Sequence, residues 1–359
     1  MQKHKLNYRD LVRQGGNFRK KGDHLRVQTI LPVMRLIGWC KNIDCECEHN
    51  FRRIFRPSVM TALVQQKYLR PYSAAYGWRL TPAGYAWLSE QGFPMQADRR
   101  TQRVNRRFEN AAVILTMYAA GIDPFADSLA ALREKGGYLS ASVLRGREGQ
   151  HPLGINLVSG FLRLGSTMFS VHYPQTAQRV IIQREIDCAQ SAMLGSGCSE
   201  QAYLLCGSSY TDIYRALLEE QTSCTGKRVS YARFYQQISP AYLLPCNKDG
   251  VLQLRLMQAA DYRPRLAKML GAPIIGTHLS DCDFFSADFQ FPARIVADME
   301  LRQVFRAAQQ ARAAGYHGLL LAAFESQKRF LTQIFPPPFF HVAVIDEQAL
   351  CILEMGADL

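Results

Sequence analysis

Residues 56–93 read RPSVMTALVQQKYLRPYSAAYGWRLTPAGYAWLSEQGF. Arg56-Pro57-Ser58 reads as a helix start, because a proline in the first turn gives up no intrahelical hydrogen bond. At about 100° per residue, Val59, Met60, Leu63 and Val64 then fall on one side of the helix. Ser58, Thr61, Ala62 and Gln65 fall on the other. From Arg70 to Leu80, two short extended runs flank a small-residue turn, the pattern of a β-hairpin. Thr81 follows as an N-cap with Pro82 in the first helical position, opening a helix that carries Tyr85, Trp87 and Leu88 and stops at Gly92. Helix, hairpin and capped helix are the order of a winged helix-turn-helix, with residues 58–69 in the recognition position and residues 72–79 as the wing.

Upstream, residues 24–40 repeat apolar side chains (Val27, Ile30, Leu31, Met34, Ile37) at helical spacing, so a helix is expected there. Pro32 removes one internal hydrogen bond, and a kink or a helix beginning near the proline is the expectation. Residues 1–23 form a basic arm with Lys3, Lys5, Arg9, Arg13, Arg19, Lys20 and Lys21. Between the two helical patterns lie Cys40, Cys45, Cys47 and His49, enough soft ligands for tetrahedral zinc. Cys45, Cys47 and His49 would converge only on an extended chain, and the paired Cys-x2-Cys knuckle is missing. Reduced thiols in a loop are the expectation, and no metal or other cofactor is assigned.

The charge is partitioned along the chain. The 359 residues carry a formal net charge of +13; residues 1–107 hold 21 Lys and Arg against 7 Asp and Glu, and the remainder is near neutral. A general solubility charge has no reason to divide this way, whereas a polyanion-binding module joined to an ordinary domain does. Duplex DNA is therefore the expected partner. In that reading Ser58, Thr61 and Gln65 face base edges, while Arg56, Lys67, Arg70 and Arg79 meet phosphates, with Tyr76 on the wing. Arg99, Arg100 and Arg103 begin a helical connection over residues 95–136 and extend the basic surface, or they are simply its solvated start. No run approaches the roughly 20 apolar residues of a membrane helix. The chain opens on polar residues without an apolar leader, so its ten cysteines are expected to be reduced thiols of a cytoplasmic protein.

The run GWRLTPAGYAWLSEQGF at residues 77–93, followed by an arginine-rich helix with Asn110-Ala111-Ala112, resembles the replication-relaxation family of plasmids and integrative conjugative elements. The likeness spans roughly residues 25–125. It implies a winged helix over residues 24–94, a helical connection, and an α/β domain over residues 137–359. It also implies work in the replication, mobilisation or regulation of a mobile genetic element, including conjugation.

Beyond residue 136 the pattern shortens. Residues 161–164 and 168–173 flank Gly165-Ser166-Thr167 as a hairpin, residues 179–183 suggest a further strand, and residues 202–206 precede a helix at 211–220. Residues 241–245 and 251–257 flank the turn Asn247-Lys248-Asp249-Gly250. Residues 294–314 read as an alanine-rich helix holding Asp298 and Glu300. A strand at 317–324, a short helix at 327–334 and a strand at 339–345 complete a mixed α/β layer, so the fold class is α+β or α/β. Residues 126–154 read as a loop-rich boundary.

Templates for chemistry fail here: there is no phosphate-binding loop, no G-x-S-x-G, no H-E-x-x-H, no His-x-His pair and no Asp/Glu-x-Lys triplet. Two alternatives stay open for this domain. It is non-catalytic, acting alone or as a homodimer and recruiting replication or transfer proteins. Or it is a Mg²⁺-dependent nuclease of divergent pattern built on Asp281, Asp283, Glu325 and Gln327, where Glu-x-Gln stands in for Glu-x-Lys.

Overall fold

The computed structural model describes residues 27–71, 77–95, 104–148, 158–174, 183–222, 226, 228–229, 231–274 and 277–354. The chain divides into two compact units, Met1–Ala119 and Ala120–Leu359. Both α-helices and mixed sheets are present. Among the described residues no helix is long and apolar enough to cross a membrane.

The N-terminal unit begins with the helix Val27–Cys40, which runs through Pro32 without a break in its assignment. Ile30, Val33, Met34, Leu36 and Ile37 are all buried. Burial of each such side chain is worth about 1.5–3 kcal/mol, so together they outweigh the roughly 3 kcal/mol that an internal proline costs. The expected start near the proline is therefore not seen, since the helix is already formed at Val27. Ile43 follows as an isolated bridge to Trp78, with reciprocal backbone bonds of 3.0 and 2.7 Å. The helix Cys45–Asn50 is capped by Asp44, whose side chain accepts from Cys47 N at 2.7 Å. Then come the helix Pro57–Gln65, strand β1 (Leu69–Pro71), strand β2 (Trp78–Leu80) and the helix Pro82–Glu90. The two strands pair antiparallel, Leu69 opposite Leu80 and Arg70 opposite Arg79. Thr81 caps the last of these helices as its sequence demands: its Oγ1 accepts from Gly84 N at 3.1 Å and donates to Lys67 O at 2.6 Å. The helix Val104–Ala119 closes the unit.

One glycine is dictated by this arrangement. Gly77 has φ +77°, and a Cβ there would lie 1.9 Å from the carbonyl oxygen of Ile43. Only glycine lets β2 approach the Ile43 bridge so closely.

The C-terminal unit holds two mixed sheets. Strands β3 (Gly137–Ser140), β4 (Val158–Leu164), β5 (Thr167–His172), β6 (Glu200–Gly207) and β9 (Ala241–Pro245) lie in that order. A two-residue ladder, β7 (Gln221–Thr222) with β8 (Arg228–Val229), stands apart. The second sheet runs β10 (Phe284–Ser286), β11 (Phe291–Ile295), β12 (Leu319–Ala323) and β13 (Phe340–Val344). In both sheets an antiparallel hairpin (β4–β5, β10–β11) is extended by two parallel strands, and each parallel connection contains a helix. The chain thus traces the same hairpin–helix–strand–helix–strand–helix course twice. The central parallel strand β12 is an uninterrupted apolar run: every residue of Leu319–Ala323 is buried, as a parallel strand covered on both faces requires.

One core spans both sheets, joining Val158, Phe161 and Leu205 of the first to Leu319 and Leu321 of the second and to Phe330 of the helix Glu325–Ile334. A second core lies on the far side of β10–β13 and takes in Leu256 and Leu266, from helices that follow β9. Polar bonds cross the same boundary. Gln253 Nε2 donates to Leu243 O at 2.8 Å and to Asp298 O at 2.6 Å, and Tyr210 Oη donates to Gln253 Oε1 at 3.0 Å.

Three parts of the sequence reading change. Residues 129–148 are helix Leu129–Lys135, β3 and helix Ala141–Glu148, not a loop-rich stretch. Residues 251–257 lie within the helix Lys248–Gln258, and Asn247 is its cap, accepting from Asp249 N at 2.9 Å. Residues 294–301 are the end of β11 and a loop, and the helix begins only at Arg302. The strand expected at 179–183 falls largely outside the described residues, and a helix, Gln183–Leu194, starts at its last position.

Candidate nucleic-acid interface

The helix Pro57–Gln65 presents two different faces. Val59, Met60 and Leu63 are buried, while Ser58 and Gln65 are exposed and Thr61 is half-buried. Positions 58, 61 and 65 are three and four residues apart, so they share one side of the helix. Side chains of this size and chemistry, on a helix with no bulky neighbour among them, can reach donor and acceptor edges in a major groove. Arg56, Lys67 and Arg70 are exposed and bracket the helix, and Arg79 is half-buried opposite Arg70. Arg56 makes no side-chain cap bond at the helix N-terminus.

Arg52 and Arg53 are also exposed, in the turn between Cys45–Asn50 and Pro57–Gln65. They were not among the sequence candidates, although the Arg-Arg pair next to a helix start was a usable signal. Arg106 is different: it is buried and paired with Glu109 at 3.3 Å, which commits it to the interior of the unit. Tyr76, Arg99, Arg100 and Arg103 lie outside the described residues.

Acidic groups temper the positive face. Glu46 is exposed, and Glu48 Oε2 accepts from Trp78 Nε1 at 2.7 Å. Burial raises the Glu48 carboxyl above its ordinary range, against the lowering effect of the Trp78 bond and of Arg52. Glu48 therefore anchors β2 to the helix Cys45–Asn50.

The four soft ligands are not brought together. Cys45 and His49 sit one turn apart on an exposed helix face, while Cys47 points into the core and Cys40 is buried, its thiol pushed far up by desolvation. The helical backbone is the reason: it turns about 200° between positions two apart, so alternation no longer shares a side. Among the described residues no three His, Cys, Asp or Glu side chains are placed to hold a metal ion.

The acidic candidates of the C-terminal unit are likewise dispersed. Asp281 accepts from Gln310 Nε2 at 2.8 Å, and its backbone N–H donates to Gln310 Oε1 at 2.9 Å. Asp283 Oδ2 meets Arg263 at 3.3 Å, Arg294 at 3.5 Å and Ile295 N at 2.7 Å. Desolvation raises its carboxyl in spite of the two guanidiniums. Asp298, fully buried, pairs with Arg263 and accepts from Tyr262 Oη. Glu325 is exposed at the start of the helix Glu325–Ile334. Gln327, two positions on, is buried: it accepts from Phe324 N at 3.0 Å and donates to Tyr210 Oη at 3.1 Å and Ala297 O at 2.8 Å. Glu325 and Gln327 thus face different surroundings, and Gln327 is spent on backbone and tyrosine partners.

Comparison of the chain with models of known protein families, with curated proteins and with solved structures returns no match.

Proposed function

We propose that residues 24–94 form a winged helix-turn-helix that binds duplex DNA with sequence selectivity. The observation that carries this is the outward face of the helix Pro57–Gln65, with Ser58 and Gln65 exposed between the exposed cations Arg52, Arg53, Arg56, Lys67 and Arg70. The element order adds support. Helix, single-residue bridge, helix, helix, strand and strand is the course of a winged helix, with the pair β1 and β2 as the base of the wing. The concentration of positive charge in residues 1–107 supplies the sequence-independent attraction to phosphate. Ser58, Thr61 and Gln65 read base edges. Arg52, Arg53, Arg56, Lys67, Arg70 and Arg79 fix register on the backbone. In this reading, which the resemblance of residues 77–93 to the replication-relaxation family favours, the binding serves the replication, mobilisation or regulation of a plasmid or conjugative element, and the C-terminal unit is non-catalytic.

The test is binding of the full chain to its selected site and to random duplex across a salt series. Gln65→Ala should cost about 1–3 kcal/mol on the selected site and almost nothing on random DNA. Arg70→Ala should weaken both alike and flatten the salt slope by roughly one unit. Equal losses from both substitutions on random duplex would remove the division of roles, and absence of salt-dependent binding would remove the function.

A further inference from the structure

Four strands form the edges of the two large sheets in the C-terminal unit, and the chain itself closes three of those edges. Tyr138 N of β3 donates to Asp123 O at 2.8 Å, and Phe285 of β10 exchanges bonds of 3.0 and 2.8 Å with Ala272. In β9 the middle residue, Leu243, uses both of its outward groups. Its N–H donates to Met299 O at 3.3 Å, and its carbonyl accepts from Gln253 Nε2 at 2.8 Å. β13 holds the place in the second sheet that β9 holds in the first, as the last strand of the same course. Its edge is open. Among the described residues β13 pairs with β12 alone; none of its five residues is buried, and Val344 is 42% exposed.

Two bonds at the ends of β13 fix which groups face outward. Leu319 N donates to Phe339 O at 2.9 Å, and Ile345 N donates to Ala323 O at 2.8 Å. Backbone groups alternate in direction along a strand, so positions 339, 341, 343 and 345 turn toward β12. The N–H and C=O of Phe340, Val342 and Val344 therefore point away from it, and among the described residues they have no hydrogen-bond partner. Such a row is a template for another strand.

The row is complementary to itself. Its three outward positions are spaced evenly about Val342, so a two-fold axis at that residue closes all of them at once. Antiparallel pairing sets Val342 against Val342 of the other copy and Phe340 against its Val344, with two N–H to O=C bonds in each pair. Residues 339–345 contain no Asp, Glu, Lys or Arg, so no like charges meet across the axis, and the charges that commonly blunt an edge are missing. Phe340, whose ring packs 5.1 Å from that of Phe335, is placed to cover the exposed Val344 of the other copy as an aromatic and β-branched pair. Pro336, Pro337 and Pro338 before the strand and Asp346 after it are exposed and end the pairing there.

We propose that the protein forms a two-fold dimer through β13, joining the second sheets of two copies into one sheet of eight strands. β10 then lies at both ends of that sheet, and its closure by Ala272 keeps the assembly from growing further.

The experiment is sedimentation equilibrium of the full chain, free of nucleic acid, from about 1 to 200 µM. Pairing over a strand this short makes a small interface, so a dissociation constant on the order of 10 µM is expected. Val344→Lys, a change at an exposed side chain, should weaken the dimer at least about tenfold. Val342→Pro should do the same, because it deletes an N–H that β12 does not use. Each is scored in protein that melts as the wild type does. The register is read by mild oxidation of protein carrying Cys45→Ser and Cys351→Ser. Facing residues of a hydrogen-bonded pair have Cα atoms about 5.5 Å apart, within disulfide reach, so Val342→Cys should link two copies. Val344→Cys, about 14 Å from its counterpart across the axis, should not. A monomer throughout the range, a dimer unmoved by both Val344→Lys and Val342→Pro, or equal linking at positions 342 and 344 would overturn the proposal.

Discussion

Gly77→Ala tests how the N-terminal unit is held together. The added methyl group meets the Ile43 carbonyl oxygen at 1.9 Å and Asp44 Cα at 2.6 Å, both backbone atoms that cannot swing aside. Relief requires a backbone shift of about 1 Å or more. That shift breaks the Trp78 N to Ile43 O bond of 2.7 Å and its 3.0 Å counterpart. Each such bond contributes about 0.5–1.5 kcal/mol net. The positive φ adds about 1–2 kcal/mol for any residue with a Cβ. Together the loss is about 2–5 kcal/mol, a large part of a domain's stability. The assay is urea unfolding followed by tryptophan fluorescence, which is selective here because Trp39, Trp78 and Trp87 are the chain's three tryptophans and all precede residue 120. With m of about 1–3 kcal/mol/M, the midpoint should fall by about 1 M or more. On the proposed function, DNA binding should fall in parallel, because β2 loses its anchor. A variant within about 0.5 kcal/mol of wild type would show that β2 does not depend on the Ile43 bridge.

Three further outcomes are expected. Glu48→Gln keeps an acceptor for Trp78 and removes a carboxylate whose pKa burial has raised. A raised carboxyl favours the folded state most below its unfolded pKa of about 4.3 and loses that contribution as pH rises through the folded value. The variant's gain in melting temperature should therefore be small near pH 4 and larger at pH 7.5; a variant less stable than wild type at pH 7.5 would contradict it. Gln327→Leu strands Phe324 N and Ala297 O, at about 1–3 kcal/mol for each buried group left unmatched, and leaves Tyr210 Oη with its bond to Gln253 alone. Unfolding of the C-terminal unit, read by tyrosine near-ultraviolet dichroism, should shift accordingly while the tryptophan transition stays in place. In native protein, thiol titration with a disulfide reagent should lose two fast-reacting groups when Cys45 and Cys351 are changed to serine, since both are exposed. Cys282, buried and with its thiol pushed up to about 12, should react only on unfolding.

The parts of this molecule legible in its sequence were those where local chemistry and tertiary burial agree. The helix Pro57–Gln65 buries Val59, Met60 and Leu63 as its apolar spacing requires, and Thr81 caps the helix that its Thr-Pro sequence announces. Ile43 left no trace beforehand, because a strand of one residue has no periodicity to read. Residues 294–301 misled for a physical reason. β11 is covered on both faces, so its side chains do not alternate, and Val296, Met299 and Val304 happen to recur at helical spacing. That misreading placed Asp298 and Glu300 on a helix and hid their position just past the end of β11. Gln327 was picked out for a spacing that suggested metal chemistry, whereas the fold uses its amide to satisfy buried backbone. The outward face of the DNA-binding candidate was legible because exposed polar residues answer to helical geometry alone. The pairing of Asp298 with Tyr262 and Arg263 was not, because it exists only where distant segments meet.

The doubled course of the C-terminal unit carries a consequence for how it can come apart. Its second half does not own its outer layer: Leu256 and Leu266, from helices that follow β9, fill the apolar space behind β10–β13. Gln253, from the same stretch, ties the first sheet's backbone to Asp298. A protease nick at residues 287–290, in the exposed turn of the β10–β11 hairpin, would leave two fragments that stay associated and melt as one. Fragments made separately should each be insoluble and recover their structure only on mixing. Such a unit has the anatomy of two halves and the cooperativity of one.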